Sequence, residues 1–428
     1  MTDTAPRDGR PAAKAVSSAD ILPVLLAVFG PLVYVAPLGA VPGLLVLAVG
    51  AAFTAWRYGA MSWRGILRGF LVFAPLFVWM LLSSLWSLDA RAGVSLALRL
   101  AGVFVAGTAV VYWLRTLPLD RLARCLPALA LGFSAAAAIV LVDLRLLHGQ
   151  IALHLHAPQG ENYDVALFYG RGATIHAILM VPLLLGLWQA GARWLAILQF
   201  VLGLLAILVT SSLSAKMALG TAVLVGGAVF VLPALRYALL VLLAALVVAL
   251  PLVLPYHPDP TTVCWLSDNK ASALHRLYIW NFATERIAEH PLIGWGLDAA
   301  RRIPGGDGRV LILRCDAVKY PGTHPRVDST VMPLHPHNGI LQVWLELGGI
   351  GALFGFGAVI LILGRAFTAP EWRSRAAQAG FVGIFLGGLS VGLVSFGIWQ
   401  EWFLAALFIA AAVAVLAARQ GATDQPRR

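Results

Sequence analysis

Two histidines one residue apart, in His335-Pro336-His337-Asn338, close the longest polar stretch of an otherwise apolar chain. An imidazole where loop meets apolar segment is partly desolvated, so its pKa can be tuned for proton transfer near neutrality. The H-x-H spacing, repeated at His154 and His156, is also one that metal ligands use. No cysteine pair or carboxylate cluster accompanies either pair in sequence, which argues against a metal. The structural alternative is a loop histidine that bonds backbone or caps the next helix, and on the motif alone both readings stay open.

Cations come next. Arg276 opens Arg276-Leu-Tyr-Ile-Trp280, which runs on to His290-Pro-Leu-Ile-Gly-Trp-Gly296. The spacing of Leu277, Trp280 and Ile287 predicts an amphipathic helix on the membrane face, ended by Pro291, with a tight turn at Gly294 and Gly296. From its start a guanidinium can grip a phosphate with two parallel hydrogen bonds. Lys216 follows Ser211-Ser212-Leu213-Ser214-Ala215, whose hydroxyls and amides suit an anion. Arg171 begins another apolar stretch and is a weaker candidate of the same type. The plain alternatives are an exposed arginine on a solvated face and a lysine that snorkels. One candidate base and three candidate cations on one side of a membrane would suit a lipid-linked pyrophosphate.

The elements that must position these groups are helices in lipid. Of 428 residues, 60% are hydrophobic and only 12% charged, more apolar surface than a soluble chain of this size could bury. Tyr237 to Leu254 carries no charge, and Gly339 to Gly364 carries one acid. Such runs cross a ~30 Å hydrocarbon layer as helix, and they do not alternate as barrel strands would. The expected class is all-α: a polytopic membrane protein of about twelve spans. They fall near 20–36, 40–56, 69–87, 92–114, 125–147, 174–190, 194–211, 215–233, 237–254, 339–364, 376–398 and 402–418. The net charge of +11 resides in ones and twos between these blocks, with no basic arm or zinc pattern, so nucleic acid is not an expected partner.

Arg57, Arg64, Arg68, Arg115, Arg121, Arg124, Arg193, Arg236, Arg365, Arg373 and Arg375 fall in alternate connections, as the positive-inside rule requires of cytoplasmic ones. Residues 1–19 then form a cytoplasmic tail, without a signal-peptide cleavage pattern, and 419–428 a second. Between them lie spans at 20–254 and 339–418, with Pro37 and Pro42 allowing a re-entrant hairpin near the start. The large external loop is 255–338. It holds nine Lys/Arg, eight Asp/Glu and six of the ten histidines, too polar for lipid and longer than a connection requires. It should contain short helices and carry the chemistry. Cys264 and Cys315 both lie in it and are free thiols or, in an oxidising compartment, a disulfide.

The set of motifs resembles the O-antigen ligase and O-antigen polymerase superfamily. The resemblance rests on the span pattern, one long late loop, R-x-x-x-W followed by H-P-L-I-G-W-G, and H-N-x-x-L-Q-x-x-x-E-x-G. The last reads His337, Asn338, Leu341, Gln342, Glu346 and Gly348. It implies transfer of a glycan from undecaprenyl pyrophosphate to an acceptor hydroxyl such as that of lipid A–core, without metal or other cofactor. The site would face the periplasm from the bacterial inner membrane. His337 would be the general base, with His335, Asn338 and Gln342 in support; Arg276, Lys216 and Arg171 would hold the pyrophosphate. The family often has arginine after serine where this chain has Lys216. A polymerase or a protein O-oligosaccharyltransferase would share these motifs. A transporter or flippase fits less well, because mid-span charge is sparse and no repeat is visible.

Overall fold

The computed structural model describes residues 21–155, 164–254, 259–313, 315 and 326–423. The tail 1–19, His156 and residues 424–428 lie outside them. The chain is an all-α, multi-pass membrane protein. Its longer helices are α1 Ile21–Val35, α2 Ala40–Arg57, α3 Trp63–Leu71, α4 Ala74–Ser83, α5 Ala90–Thr116, α6 Cys125–Arg145 and α7 Gly170–Gln189. They continue with α8 Arg193–Val209, α9 Leu213–Val231, α10 Leu235–Val253, α11 Pro260–Glu289, α12 Gly339–Thr368, α13 Arg375–Val394 and α14 Glu401–Thr423. Among the described residues nine helices are long and apolar enough to cross a membrane, the bent pair α3–α4 makes a tenth, and α1 and α8 are shorter apolar helices. Each expected span therefore has an apolar helix.

The run 69–87 is not one straight span. It begins inside α3, breaks, and resumes in α4 at an angle of 58°. Pro75, in the first turn of α4, has no amide to continue the ladder from α3. The long loop holds more than short helices. Its main element is the 30-residue α11, broken at Lys270. An antiparallel hairpin of β1 Arg309–Ile312 and β2 Val327–Thr330 follows, in register Arg309 to Thr330. A disulfide joins Cys264 to Cys315, so the pairing left open by sequence is made. Beside it the Ser267 hydroxyl donates to the Leu313 carbonyl at 2.5 Å.

Small residues draw the bundle together, as they must where lipid offers no hydrophobic drive between helices. A Cβ on Gly383 or Gly387 of α13 would stand 2.9 Å from the carbonyl of Ala222 or Ala218 on α9. The helices also sort their charges. Arg121 lies over the Tyr58 ring at 4.7 Å, and Arg419 donates to the Leu114 carbonyl at 2.6 Å. The arginine-rich ends of α2, α5 and α14 thus share one face. The loop packs on the other, where Arg302 pairs with Asp89 at 2.9 Å, just before α5.

Candidate functional site

The site is built where the loop becomes α12. Asn338 caps that helix, its Oδ1 accepting the Ile340 and Leu341 amides at 3.1 Å each. The capping role therefore falls to Asn338 and leaves the His337 ring free. His337 takes a left-handed φ of 53°, a conformation that non-glycine residues seldom adopt. Its Nδ1 donates to the Ser395 carbonyl at 2.6 Å. A carbonyl can only accept, so Nδ1 carries the proton and the neutral ring presents its lone pair at Nε2. His335 lies beside it with ring centroids 4.4 Å apart, and its Nδ1 accepts the His337 backbone N–H at 3.1 Å. Burial lowers the pKa of His337; the Ser395 bond opposes this, while Arg276 and His275 push it further down. Burial, then His337 and Arg301, hold His335 at about 3. Both rings are neutral near pH 7.

Helix α11 brings Arg276 to this pair. Ile279, Ala283 and Ile287 pack against Leu341 and Leu345 of α12, and the Trp280 indole donates to the Pro336 carbonyl at 2.9 Å. A helix is thus present there and ends at Glu289, before Pro291, but it begins at Pro260, so Arg276 lies past the break at Lys270 and not at the helix start. Arg276 is half-buried, and its Nε has no hydrogen-bond partner among the described residues. One Nη reaches the Ser272 carbonyl only at 3.4 Å, and no carboxylate pairs with the guanidinium among the described residues. Burial lowers its pKa, yet an arginine stays charged in proteins. A cation with no anion among the described residues thus acts electrostatically on His337.

Lys216 and Arg171 arrive from neighbouring helix starts. Ser212 caps α9, accepting the Ala215 amide at 3.1 Å, and its hydroxyl meets Thr174 of α7 at 3.3 Å. Ser214 donates to the Ser395 hydroxyl at 2.7 Å, so the Ser211–Lys216 turn touches the residue that holds His337. The Lys216 side chain is exposed and makes no ion pair among the described residues. Arg171 is exposed over the Trp402 ring at 5.9 Å. The N-termini of α7, α9 and α12 thereby converge, three positive dipole ends beside the cations. Lys216 and Arg171 thus sit exposed at these helix starts, whereas Arg276 acts electrostatically on His337.

Gln342 and Glu346 face away from solvent and do structural work. Gln342 accepts the Ile398 amide at 3.0 Å and donates to Glu346 at 3.1 Å; Glu346 also accepts the Asp298 amide and the Trp399 indole, each at 2.8 Å. The same motif's Gly348 breaks α12 with φ 65°. In an unbroken helix the amides of Gly349 and Ile350 would bond the carbonyls of Leu345 and Glu346. Instead they donate to Pro291 and Leu292, at 2.9 and 3.1 Å. The freed carbonyls accept from Trp295 and Gly296, at 2.9 and 2.8 Å. H-P-L-I-G-W-G and E-x-G are thus two halves of one backbone splice.

Sequence reasoning passed over three neighbours of the base: Ser395, His275 and Arg301. Ser395 carries no signal, because a backbone carbonyl looks alike at every position. His275 precedes Arg276, which was the available clue, and its Nε2 donates to the Thr330 carbonyl at 3.0 Å. Past Asn338, Gly339 and Ile340 line an apolar cavity of about 300 Å³ together with Phe73, Phe104, Leu243 and Phe356. Among the described residues no three His, Cys, Asp or Glu side chains gather as a metal site would require.

Fold and site define a multi-pass α-helical membrane protein that sets a neutral histidine within electrostatic reach of an arginine with no carboxylate partner among the described residues, with an apolar cavity starting at Gly339. Residues 198–356 match the family model described as O-antigen ligase. The match runs from α8 into α12, so this segment is similar to the O-antigen ligase family. It contains Lys216, Arg276, His335, His337, Asn338 and Gln342, while Arg171 precedes it. The chain is similar to a "Putative polysaccharide ligase" of Rickettsia conorii, 28% identical over 55% of this chain and 54% of that protein. A protein of the same description from Rickettsia bellii is 34% identical over 31% of this chain and 29% of that one. The chain spans about half the length of the curated relatives it matches first.

Proposed function

We propose that this protein is a glycosyltransferase of the O-antigen ligase type. It moves a glycan from undecaprenyl pyrophosphate to an acceptor hydroxyl, with lipid A–core as the acceptor class, at the periplasmic face of a bacterial inner membrane. The observation that carries the reading is the fixed tautomer of His337 next to Arg276. Nε2 of His337 takes the proton of the acceptor hydroxyl while that oxygen attacks the anomeric carbon. The bond from that carbon to the pyrophosphate oxygen breaks, and the carrier pyrophosphate leaves. Its new charge falls on Arg276, with Lys216, Arg171 and the converging helix ends behind it. In this reading the cations take the place of a metal. Attack opposite the leaving group inverts the anomeric centre.

The apolar cavity supports a lipid-borne donor. Gly339 and Ile340, directly after the base, belong to its lining, so an isoprenoid tail held there would bring its pyrophosphate to the loop face. The disulfide supports an oxidising compartment for the loop. The test is transfer by purified protein from a lipid-linked glycan donor. His337→Ala should abolish it while the variant inserts and binds donor; transfer at the wild-type rate would sink the assignment. The intermediate that accumulates in a deletion strain separates the related chemistries. Full-length glycan left on its carrier supports a ligase, and single repeat units on the carrier would point to a polymerase instead.

A further inference from the structure

The residues directly before the histidines line a second space, to which the reaction above assigns no substrate. It is a cleft of about 570 Å³, walled by Arg301 to Asp307 on one side and by Thr330 and Met332 to Leu334 on the other. Chain continuity ties it to the base. Pro333 and Leu334 line the cleft, His335 to Asn338 follow, and Gly339 and Ile340 line the apolar cavity. Residues 335–338 therefore stand in the chain between a space of mixed charged and apolar lining and a wholly apolar one inside the helix bundle.

We propose that this cleft is the acceptor subsite, and that it recognises a sugar bearing a phosphate or carboxylate near the attacking hydroxyl. The proposal rests on the transfer reading above, and it separates the two substrates by chemistry: the lipid-borne donor from the apolar cavity, the acceptor from the cleft that carries charged side chains. Two arginines line the cleft against one acid, Asp307. Arg301 uses Nε toward Asp298 at 2.8 Å, and Arg302 uses one Nη toward Asp89 at 2.9 Å. Each aspartate holds its arginine in place while the remaining N–H groups stay available, both side chains being about half exposed (50% and 51%). Guanidiniums already fixed by ion pairs lose little freedom when they fork onto a second anion. Arg301 also acts electrostatically on His335, which sits beside His337.

The test is binding of a phosphorylated oligosaccharide and of its phosphatase-treated counterpart to the full chain in nanodiscs, by calorimetry and without donor. The phosphorylated probe should bind about tenfold more tightly, the difference that a charge-assisted contact makes. Arg301→Gln with Arg302→Gln should erase that preference and leave the treated probe unchanged. Leu334 is 61% exposed and makes no ion pair. Leu334→Glu therefore puts a negative charge in the cleft with both pairs intact, and it should erase the preference as well should the double variant fail to fold. Equal affinities in the wild type, no binding of either probe, or a preference that survives Leu334→Glu would each overturn the proposal. Selective binding with no transfer under any condition would instead overturn the transfer reading alone.

Discussion

His337 Nδ1 and the carbonyl oxygen of Ser395 lie 2.6 Å apart, and this pair decides which edge of the imidazole is open. The two residues come from opposite ends of the helical hairpin α12–α13. Ser395 is steadied in turn by the hydroxyl of Ser214, at 2.7 Å. Three separate chain segments thus agree on one tautomer.

That arrangement sets a pH dependence. The base acts when neutral, and its pKa is held below the ordinary histidine value of about 6.5 by burial and by Arg276. Transfer should be flat above about pH 6.5 and fall only as pH drops through the lowered value. A pH profile of kcat/KM with its acid limb above neutrality would contradict the burial argument. Stability follows the same sign. The unfolded chain protonates His335 below about 6.5, whereas the folded chain does so only near 3. Unfolding is therefore favoured progressively across that window, and above it these histidines cost nothing.

Arg276 should matter as a fork and not only as a charge. Arg276→Ala is expected to lower kcat/KM for the donor by roughly 10²–10³, the scale on which one fixed donor to a developing anion counts. Arg276→Lys should recover part of that loss, because the charge remains while the planar pair of N–H groups is gone. Steady-state kinetics with purified protein would show it, and equal rates in all three proteins would remove Arg276 from the leaving-group site.

The backbone splice at Gly348 leaves no room for a side chain. A Cβ there would lie 2.3 Å from the Leu292 carbonyl oxygen, and one on Gly294 would lie 2.5 Å from the Glu346 carbonyl. Both positions also have positive φ, 65° and 67°. Gly348→Ala and Gly294→Ala should each destabilise by roughly 2–5 kcal/mol. Gly357, in the same helix with nothing within 4 Å, is the control and should tolerate alanine. Thermal unfolding of the solubilised protein would read the contrast.

Trp344 should stabilise α10 through a single bond. Pro251 has no amide for the carbonyl of Val247, and the Trp344 indole takes that place at 2.9 Å. Trp344→Phe keeps the ring and orphans the carbonyl, at a cost of about 1–3 kcal/mol. Amide exchange should speed up in α10 and stay unchanged in α9. Uniform protection in the variant would mean that water or another donor had replaced the indole.

Hydropathy alone was enough to place an apolar helix, among the described residues, in every expected span, because crossing or lining a membrane demands composition over a local run and little else. Polarity alone set the loop 255–338 apart, and residue type alone singled out His337 and Arg276. The breaks at Leu71–Ala74, Lys270 and Gly348 were not legible, since each depends on which partner can satisfy the freed backbone groups. The partners are remote: Pro291 and Leu292 for Gly349 and Ile350, Trp79 for the Leu347 carbonyl. The pairing of Cys264 with Cys315, the tautomer of His337 and the cleft beside His335 likewise depend on groups distant in sequence. Period and composition record what a segment needs from its solvent. Which other segment supplies a missing donor, and which ring edge that leaves open, is decided only when the helices are packed.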